Sequence, residues 1–331
     1  MKTLPPAIEV TDLVKSYGDV EAVRGVSFSV PRGEVFGFLG PNGAGKSTTI
    51  NVLCTLARPT AGTARVSGYD VVTQRDHVRR QIGLVFQDQT LDGYLTAAQN
   101  LRLHADLYGI DAGAMDARMD QMLGMVDLAD RRDTPVMTFS GGMKRRLEIA
   151  RGLLHSPRVL FLDEPTIGLD PQTRNSIWRY IRALQEKEGT TIFMTTHYME
   201  EAEFCDRIAI MDRGEIVVLD TPEALKAGVG ADRVVLGTDD ADAALTALRE
   251  RFGIDASIAE GAVTFHVDAG EAFVPRLFAE LGVTITSVAV SRPTLDDVFM
   301  QHTGSTLRDA ETGGVADHNR AMMRAMAGAR R

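Results

Sequence analysis

The sequence predicts an α/β protein with a helical subdomain inserted into its core and a small α+β unit after it. Three observations lead there. Short apolar runs alternate with helix-like runs through residue 220. Residues 88–157 break that rhythm and keep only helical spacing. Beyond residue 228 a second pattern of strands and helices begins. Buried parallel strands read as short continuous apolar runs, because helices cover both of their faces.

In order along the chain, residues 8–14 and 23–30 show strand-like alternation. Residues 35–39 form a short apolar strand that ends in a Gly-rich turn, and 48–56 read as helix. Residues 82–86, 159–162, 191–195 and 208–211 are further short strands. Within the insert, 104–108, 115–128 and 142–154 have helical spacing. Strand–loop–helix order predicts crossovers that leave ligands at the C-terminal ends of the strands. Thr221-Pro222 starts a short helix over 223–226, and 228–232 read as a linker. Then come a strand at 233–236, a helix at 242–252, a hairpin of 257–259 and 263–267 around Glu260-Gly261, a helix at 272–281 and a strand at 283–290. That β-α-β-β-α-β order predicts a ferredoxin-like fold. The expected domains are therefore 1–228, containing the insert at about 88–157, and 229–304; the tail 305–331 is expected to be disordered.

Composition narrows the function classes. The chain has 45 Asp plus Glu against 36 Lys plus Arg over 331 residues. An acidic balance argues against a surface that wraps nucleic acid, which needs net basic charge to displace counterions. Cys54 and Cys205 lie far apart and form no CxxC pair, so neither a disulfide framework nor a zinc site is expected. No run approaches the eighteen or so apolar residues of a membrane span, and the N-terminus lacks a secretory signal pattern. A membrane role would therefore come through a partner chain.

Two segments carry chemistry by their own pattern. Gly40-Pro41-Asn42-Gly43-Ala44-Gly45-Lys46-Ser47-Thr48 fits GxxxxGK[ST], after a strand and opening a helix. Its glycines let backbone N–H groups curl around phosphate, and the helix N-terminus adds positive potential. Lys46 can reach the β- and γ-phosphates of ATP, and Ser47 can ligate Mg²⁺. Val159-Leu160-Phe161-Leu162-Asp163-Glu164 delivers two carboxylates to a strand end. Asp163 is placed to hold Mg²⁺ through a water, and Glu164 to polarise a water in line with the γ-phosphate. An isolated Asp-Glu pair would more often be a turn or helix cap; on one sheet edge with the Gly-rich loop, the catalytic reading prevails.

A third segment, Thr138-Phe139-Ser140-Gly141-Gly142-Met143, opens another helix. Ser140, Gly141 and Gly142 make a second anion site by the same physics. The first loop already holds a triphosphate, so a second phosphate site makes sense if it closes over the nucleotide of another copy.

These three segments, in this order, resemble the ABC ATPase family, a P-loop NTPase fold. Its signature LSGGQ stands here as Phe139-Ser140-Gly141-Gly142-Met143. The resemblance spans about the first 220 residues and implies further roles. Tyr17 matches the aromatic residue that stacks on adenine. Gln87 matches the Q-loop residue that senses Mg²⁺ and the attacking water. Gly168-Leu169-Asp170 matches the D-loop, which places Asp170 against the opposite subunit. His197 matches the switch histidine at the γ-phosphate. The resemblance also implies an ATP-driven homodimer, a separate integral-membrane permease met through the region after Gln87, and a peripheral place at the cytoplasmic face of the membrane. Finally, Pro293-Thr294-Leu295-Asp296-Asp297-Val298-Phe299 resembles the closing motif of daunorubicin-resistance ATP-binding subunits, which implies a drug exporter. Soluble ABC ATPases acting on ribosomes or DNA, and importer subunits, are the rival readings. The former carry paired cassettes or long coiled coils, and this chain has neither.

Overall fold

The computed structural model describes residues 5–259 and 262–303. The expected disordered tail and the Glu260-Gly261 turn lie outside the described residues. The chain divides into two compact units, the second beginning at Pro222.

The first unit contains β1 (Ile8–Tyr17), β2 (Val20–Val30), β3 (Val35–Leu39), α1 (Lys46–Leu53), β4 (Ala61–Val66), β5 (Tyr69–Asp70), α2 (Arg75–Gln81) and β6 (Ile82–Val85). The helical insert follows as α3 (Ala97–Tyr108), α4 (Ala112–Met125) and α5 (Gly141–Leu153). It closes with β7 (Val159–Asp163), α6 (Pro171–Glu188), β8 (Thr191–Thr196), α7 (Met199–Ala202), β9 (Arg207–Asp212) and β10 (Glu215–Asp220). No strand occurs among residues 88–157.

Six strands form one sheet in the order β10-β9-β3-β8-β7-β6, parallel except for β10. β3 and β8 are buried at every residue, so both sheet faces are covered. β1 and β2 do not join this sheet. They pair with β4 and β5 in a separate antiparallel sheet, β2-β1-β4-β5. Their half-buried alternation is the mark of such a sheet, which packs only one face. The two sheets share a core. Phe28 stacks on Phe36 at 5.6 Å between ring centroids, and Phe38 meets Phe193 at 4.9 Å.

Register positions the site. Leu39 pairs with Thr196, Asp163 with Thr195, and Val85 with Leu162. The loops that follow β3, β6, β7 and β8 therefore leave the sheet at one edge.

In the insert, Thr96 and Gln99 cap α3 reciprocally, and Gly109 ends it in the left-handed conformation. The His104 ring lies 4.7 Å from that of Tyr108, which stacks on His155 at 3.8 Å. His155 Nε2 lies 2.8 Å from the Ile82 carbonyl oxygen, which ties the insert to β6. Burial, with the positive charge of Arg151 and the neighbouring His155, pushes His104 down to about 4. The folded state thus prefers neutral His104. The stability this contributes is complete above the ordinary histidine value and is lost as pH falls toward 4. Urea unfolding should show His104→Gln losing about 1–2 kcal/mol less stability than the parent between pH 7 and pH 5. Equal losses would exclude this role.

The second unit contains α8 (Pro222–Val229), β11 (Asp232–Thr238), α9 (Ala241–Ala247), β12 (Ala256–Ala259), β13 (Ala262–Val267), α10 (Gly270–Glu280), β14 (Ile285–Ser291) and α11 (Leu295–Thr303). Only residues 230 and 231 separate α8 from β11. A π-helical turn, Leu248–Phe252, extends α9. The sheet is antiparallel, in the order β12-β13-β11-β14. Counted within the unit, that is second, third, first, fourth, the ferredoxin-like arrangement. Thr294 and Asp297 cap α11: the Thr294 amide and hydroxyl donate to Asp297 Oδ2 at 2.8 Å, and the Asp297 amide donates back at 3.3 Å. Leu295, Val298 and Phe299 are buried, and α11 packs on α8. The closing motif is thus a capped helix with an apolar face.

Candidate functional site

The loop from Gly40 to Gly45 joins β3 to α1. A Cβ at Gly40 would lie 2.2 Å from the Met211 carbonyl oxygen. Gly45 has φ +105, and a Cβ there would meet the Ala22 carbonyl oxygen at 2.4 Å. Only glycine fits either position. Gly43 is also left-handed, at φ +83, while Pro41, Asn42 and Ala44 fill the turn.

Lys46 opens α1 and is only 4% exposed. Its ammonium donates to the carbonyl oxygens of Gly40 at 2.6 Å and Pro41 at 3.0 Å, and lies 3.7 Å from Glu164 Oε1. The Ser47 hydroxyl donates to Asp163 Oδ1 at 3.0 Å. Thr48 follows on the first turn of α1.

Glu164 lies one residue beyond β7, buried, with φ +45. For a residue with a Cβ this is a costly backbone conformation that its surroundings must enforce. Thr195 does so: its hydroxyl accepts the Glu164 amide at 3.1 Å and donates to Asp163 Oδ1. Glu164 Oε1 lies 3.3 Å from His197 Nδ1. Burial pushes the Glu164 carboxyl up, but the adjacent His197 ring and the charge of Lys46 outweigh it and hold it below the ordinary glutamate value.

Five predicted residues therefore converge: Lys46, Ser47, Asp163, Glu164 and His197. Gln87 stands apart, exposed beyond β6, where it lines a small cavity with Gly141, Arg145, Glu148 and Pro165. Ser140 caps α5, its hydroxyl accepting the Met143 amide at 3.3 Å, and is exposed with Gly141. Gly142 is buried; a Cβ there would meet Thr173 at 2.3 Å. Asp170 caps α6 and accepts from the Thr173 amide at 3.0 Å and the Thr173 hydroxyl at 2.6 Å. Tyr17, at the end of β1, is 49% exposed, with Lys15 Nζ 4.6 Å from its ring centre.

Thr195 and Glu201 escaped the sequence reading. Glu201 is buried beyond β8, where it accepts from the hydroxyls of Thr196, at 2.6 Å, and Thr166. Burial drives its carboxyl up to about 7. The available signal was polar residues on an otherwise apolar strand, Thr195-Thr196.

The arrangement has a definite chemistry. A buried ammonium at a helix N-terminus makes an anion site. A carboxylate kept ionised beside it can take a proton from water.

The ABC transporter family model matches residues 23–167, and that of the DrrA1-3-like ATP-binding protein C-terminal domain matches 221–303. The daunorubicin resistance ATP-binding protein DrrA3 of Streptomyces coeruleorubidus is 44% identical over 312 residues, 92% of this chain and 98% of that protein. The linearmycin resistance ATP-binding protein LnrL of Bacillus subtilis is 39% identical over 311 residues, 91% of this chain and all of that protein. Among solved structures, an ATP-binding subunit of an ABC transporter matches at TM-score 0.60 and 31% identity, over 67% of this chain and 92% of its own. The dimeric post-hydrolysis cassette MJ0796, bound to ADP and Pi, matches at TM-score 0.59 and 29% identity, over 65% and 98%.

Proposed function

The chain belongs to the ABC transporter family, among ATP-binding subunits of the daunorubicin-resistance type, and on that premise we propose that it hydrolyses ATP to drive export of a drug-like or hydrophobic compound through a separate membrane subunit. The observation that carries this reading is the buried convergence of Lys46, Glu164 and His197 beside the Ser47–Asp163 pair.

Each group has a role. The loop of Gly40, Pro41, Asn42, Gly43, Ala44 and Gly45 cradles the phosphates, with Lys46 and Thr48 at the helix start. Tyr17 stacks on adenine. Glu164 takes a proton from a water whose oxygen attacks the γ-phosphorus; the bond from that phosphorus to the bridging oxygen breaks, leaving ADP and phosphate. His197, whose Nδ1 faces Glu164, orients the carboxylate and meets the γ-phosphate. The oxygens of Ser47 and Asp163, 3.0 Å apart, suit Mg²⁺, a hard cation that takes few protein ligands when phosphates supply the rest, and Gln87 would join them by moving in from its separate place beyond β6. When bound there, it neutralises phosphate oxygens.

Ser140, Gly141, Gly142 and Asp170 complete the site of a second copy. The exposure of Ser140, Gly141 and Asp170 at helix starts supports this division. The γ-phosphate then joins two copies, and its departure lets them part. No helix among the described residues is long and apolar enough to cross a membrane. The work reaches the bilayer through a permease, and the subunit sits peripherally at the cytoplasmic face.

The test is coexpression with a six-span ABC permease of the drug-exporter type. Copurification from membranes, with ATP turnover stimulated by a transported drug, is expected. A chain that stays wholly in the soluble fraction and turns over ATP without regard to any permease would overturn the exporter assignment.

A further inference from the structure

Two buried residues of α5 take no part in the scheme above. Arg145 is 6% exposed and Glu148, one turn on, 1% exposed. A buried guanidinium is costly unless its donors find acceptors. Arg145 finds them on three segments. Nη1 donates to the Phe86 carbonyl oxygen, directly before Gln87, at 2.5 Å. Nη2 donates to the carbonyl oxygens of Asp163 at 3.1 Å and Glu164 at 3.3 Å, and Nε to that of Pro165 at 2.6 Å. Glu148 Oε2 accepts from Nη1 at 3.0 Å. Its other oxygen accepts the Thr90 amide at 2.7 Å, three residues beyond Gln87.

We propose that Arg145, held by Glu148, is a positioning residue that locks the backbone bearing Glu164 and the backbone bearing Gln87 to the helix that begins at Ser140. It contacts backbone only at the acid pair and touches no reacting group, so it acts through Glu164 and Gln87. The inference rests on the ATPase reading above. It gives the left-handed backbone at Glu164 a second constraint besides Thr195. It also provides a physical link between sites: a shift of the Ser140 end against a partner's nucleotide moves the carbonyls around this copy's own acid. The planar fork of arginine suits this fan of acceptors, and a lysine ammonium, as a point donor, does not.

The experiment uses the full chain as parent, Arg145→Ala, Arg145→Lys and Glu148→Gln. It measures ATP turnover, affinity for a fluorescent ATP analogue and thermal midpoint. Small misplacements of reacting groups cost large factors in rate. Both Arg145 variants should lose about 10- to 100-fold in kcat while affinity stays within about threefold. Glu148→Gln, which keeps an acceptor but not the charge, should fall between. Retained affinity shows an intact nucleotide loop and so separates positioning from unfolding. Parent-like turnover in Arg145→Lys would overturn the proposal. So would an equal loss of affinity and kcat in the Arg145 variants with Glu148→Gln unaffected. A parent chain that hydrolyses no ATP would instead sink the ATPase reading itself.

Discussion

Glu164→Gln is expected to lower kcat by about 10²- to 10⁴-fold, the range for loss of a positioned general base, while leaving ATP affinity within a few-fold. Glutamine has nearly the volume of glutamate and can keep an oxygen toward His197, so the cavity and the left-handed turn survive. What goes is the ability to accept a proton. In the parent, Lys46 and His197 hold the carboxyl below its ordinary value despite burial, so it is ionised throughout the neutral range. The amide has no such state at any pH. With the γ-phosphate uncleaved, the contacts joining two copies persist, and light scattering should report an ATP-dependent dimer that the parent forms only transiently. Single-turnover kinetics gives the decisive number. An unimpaired cleavage rate would remove Glu164 from the chemistry.

What the sequence disclosed depended on how local the signal was. The Gly-rich loop was legible because Gly40 and Gly45 answer to sterics at single positions. The strand carrying Asp163 was legible because every residue before it is apolar and buried. The second sheet was not. β1 and β2 read as strands, but β4 and β5 are short, and β4 is mostly exposed, so nothing local announced their partners. α2 buries Val78 alone and shows no apolar stripe. α6 does carry one, in Ile177, Trp178, Ile181 and Leu184. In the run Lys144-Arg145-Arg146, composition cannot tell which side chain turns inward. Each residue rotates about 100° around the helix, and the axis orientation comes from tertiary packing. Of the three, Arg145 is buried. Thr195 and Glu201 matter through partners 31 and 35 residues away, which no local pattern encodes.

Lys46→Ala should fail in the opposite way to Glu164→Gln, and the contrast tests the assignment of both. Lys46 carries buried positive charge directly beside the Glu164 carboxylate. Its two carbonyl contacts hold the ammonium inside the loop where phosphate oxygens would sit. Charge-assisted hydrogen bonds contribute about 1.5–3 kcal/mol, so removing this donor should weaken ATP binding roughly 10- to 100-fold. Two secondary effects follow. The carbonyls of Gly40 and Pro41 lose their shared donor, and Glu164 loses a charge that held its carboxyl down, so its pKa should rise. Turnover should therefore fall at every ATP concentration, and the acid limb of the rate profile should move to higher pH. Calorimetric titration with Mg-ATP separates the two variants: lost affinity for Lys46→Ala, retained affinity with lost turnover for Glu164→Gln. Unchanged affinity in Lys46→Ala would mean that the buried ammonium only props the loop, and phosphate recognition would have to rest on backbone amides and the helix terminus alone.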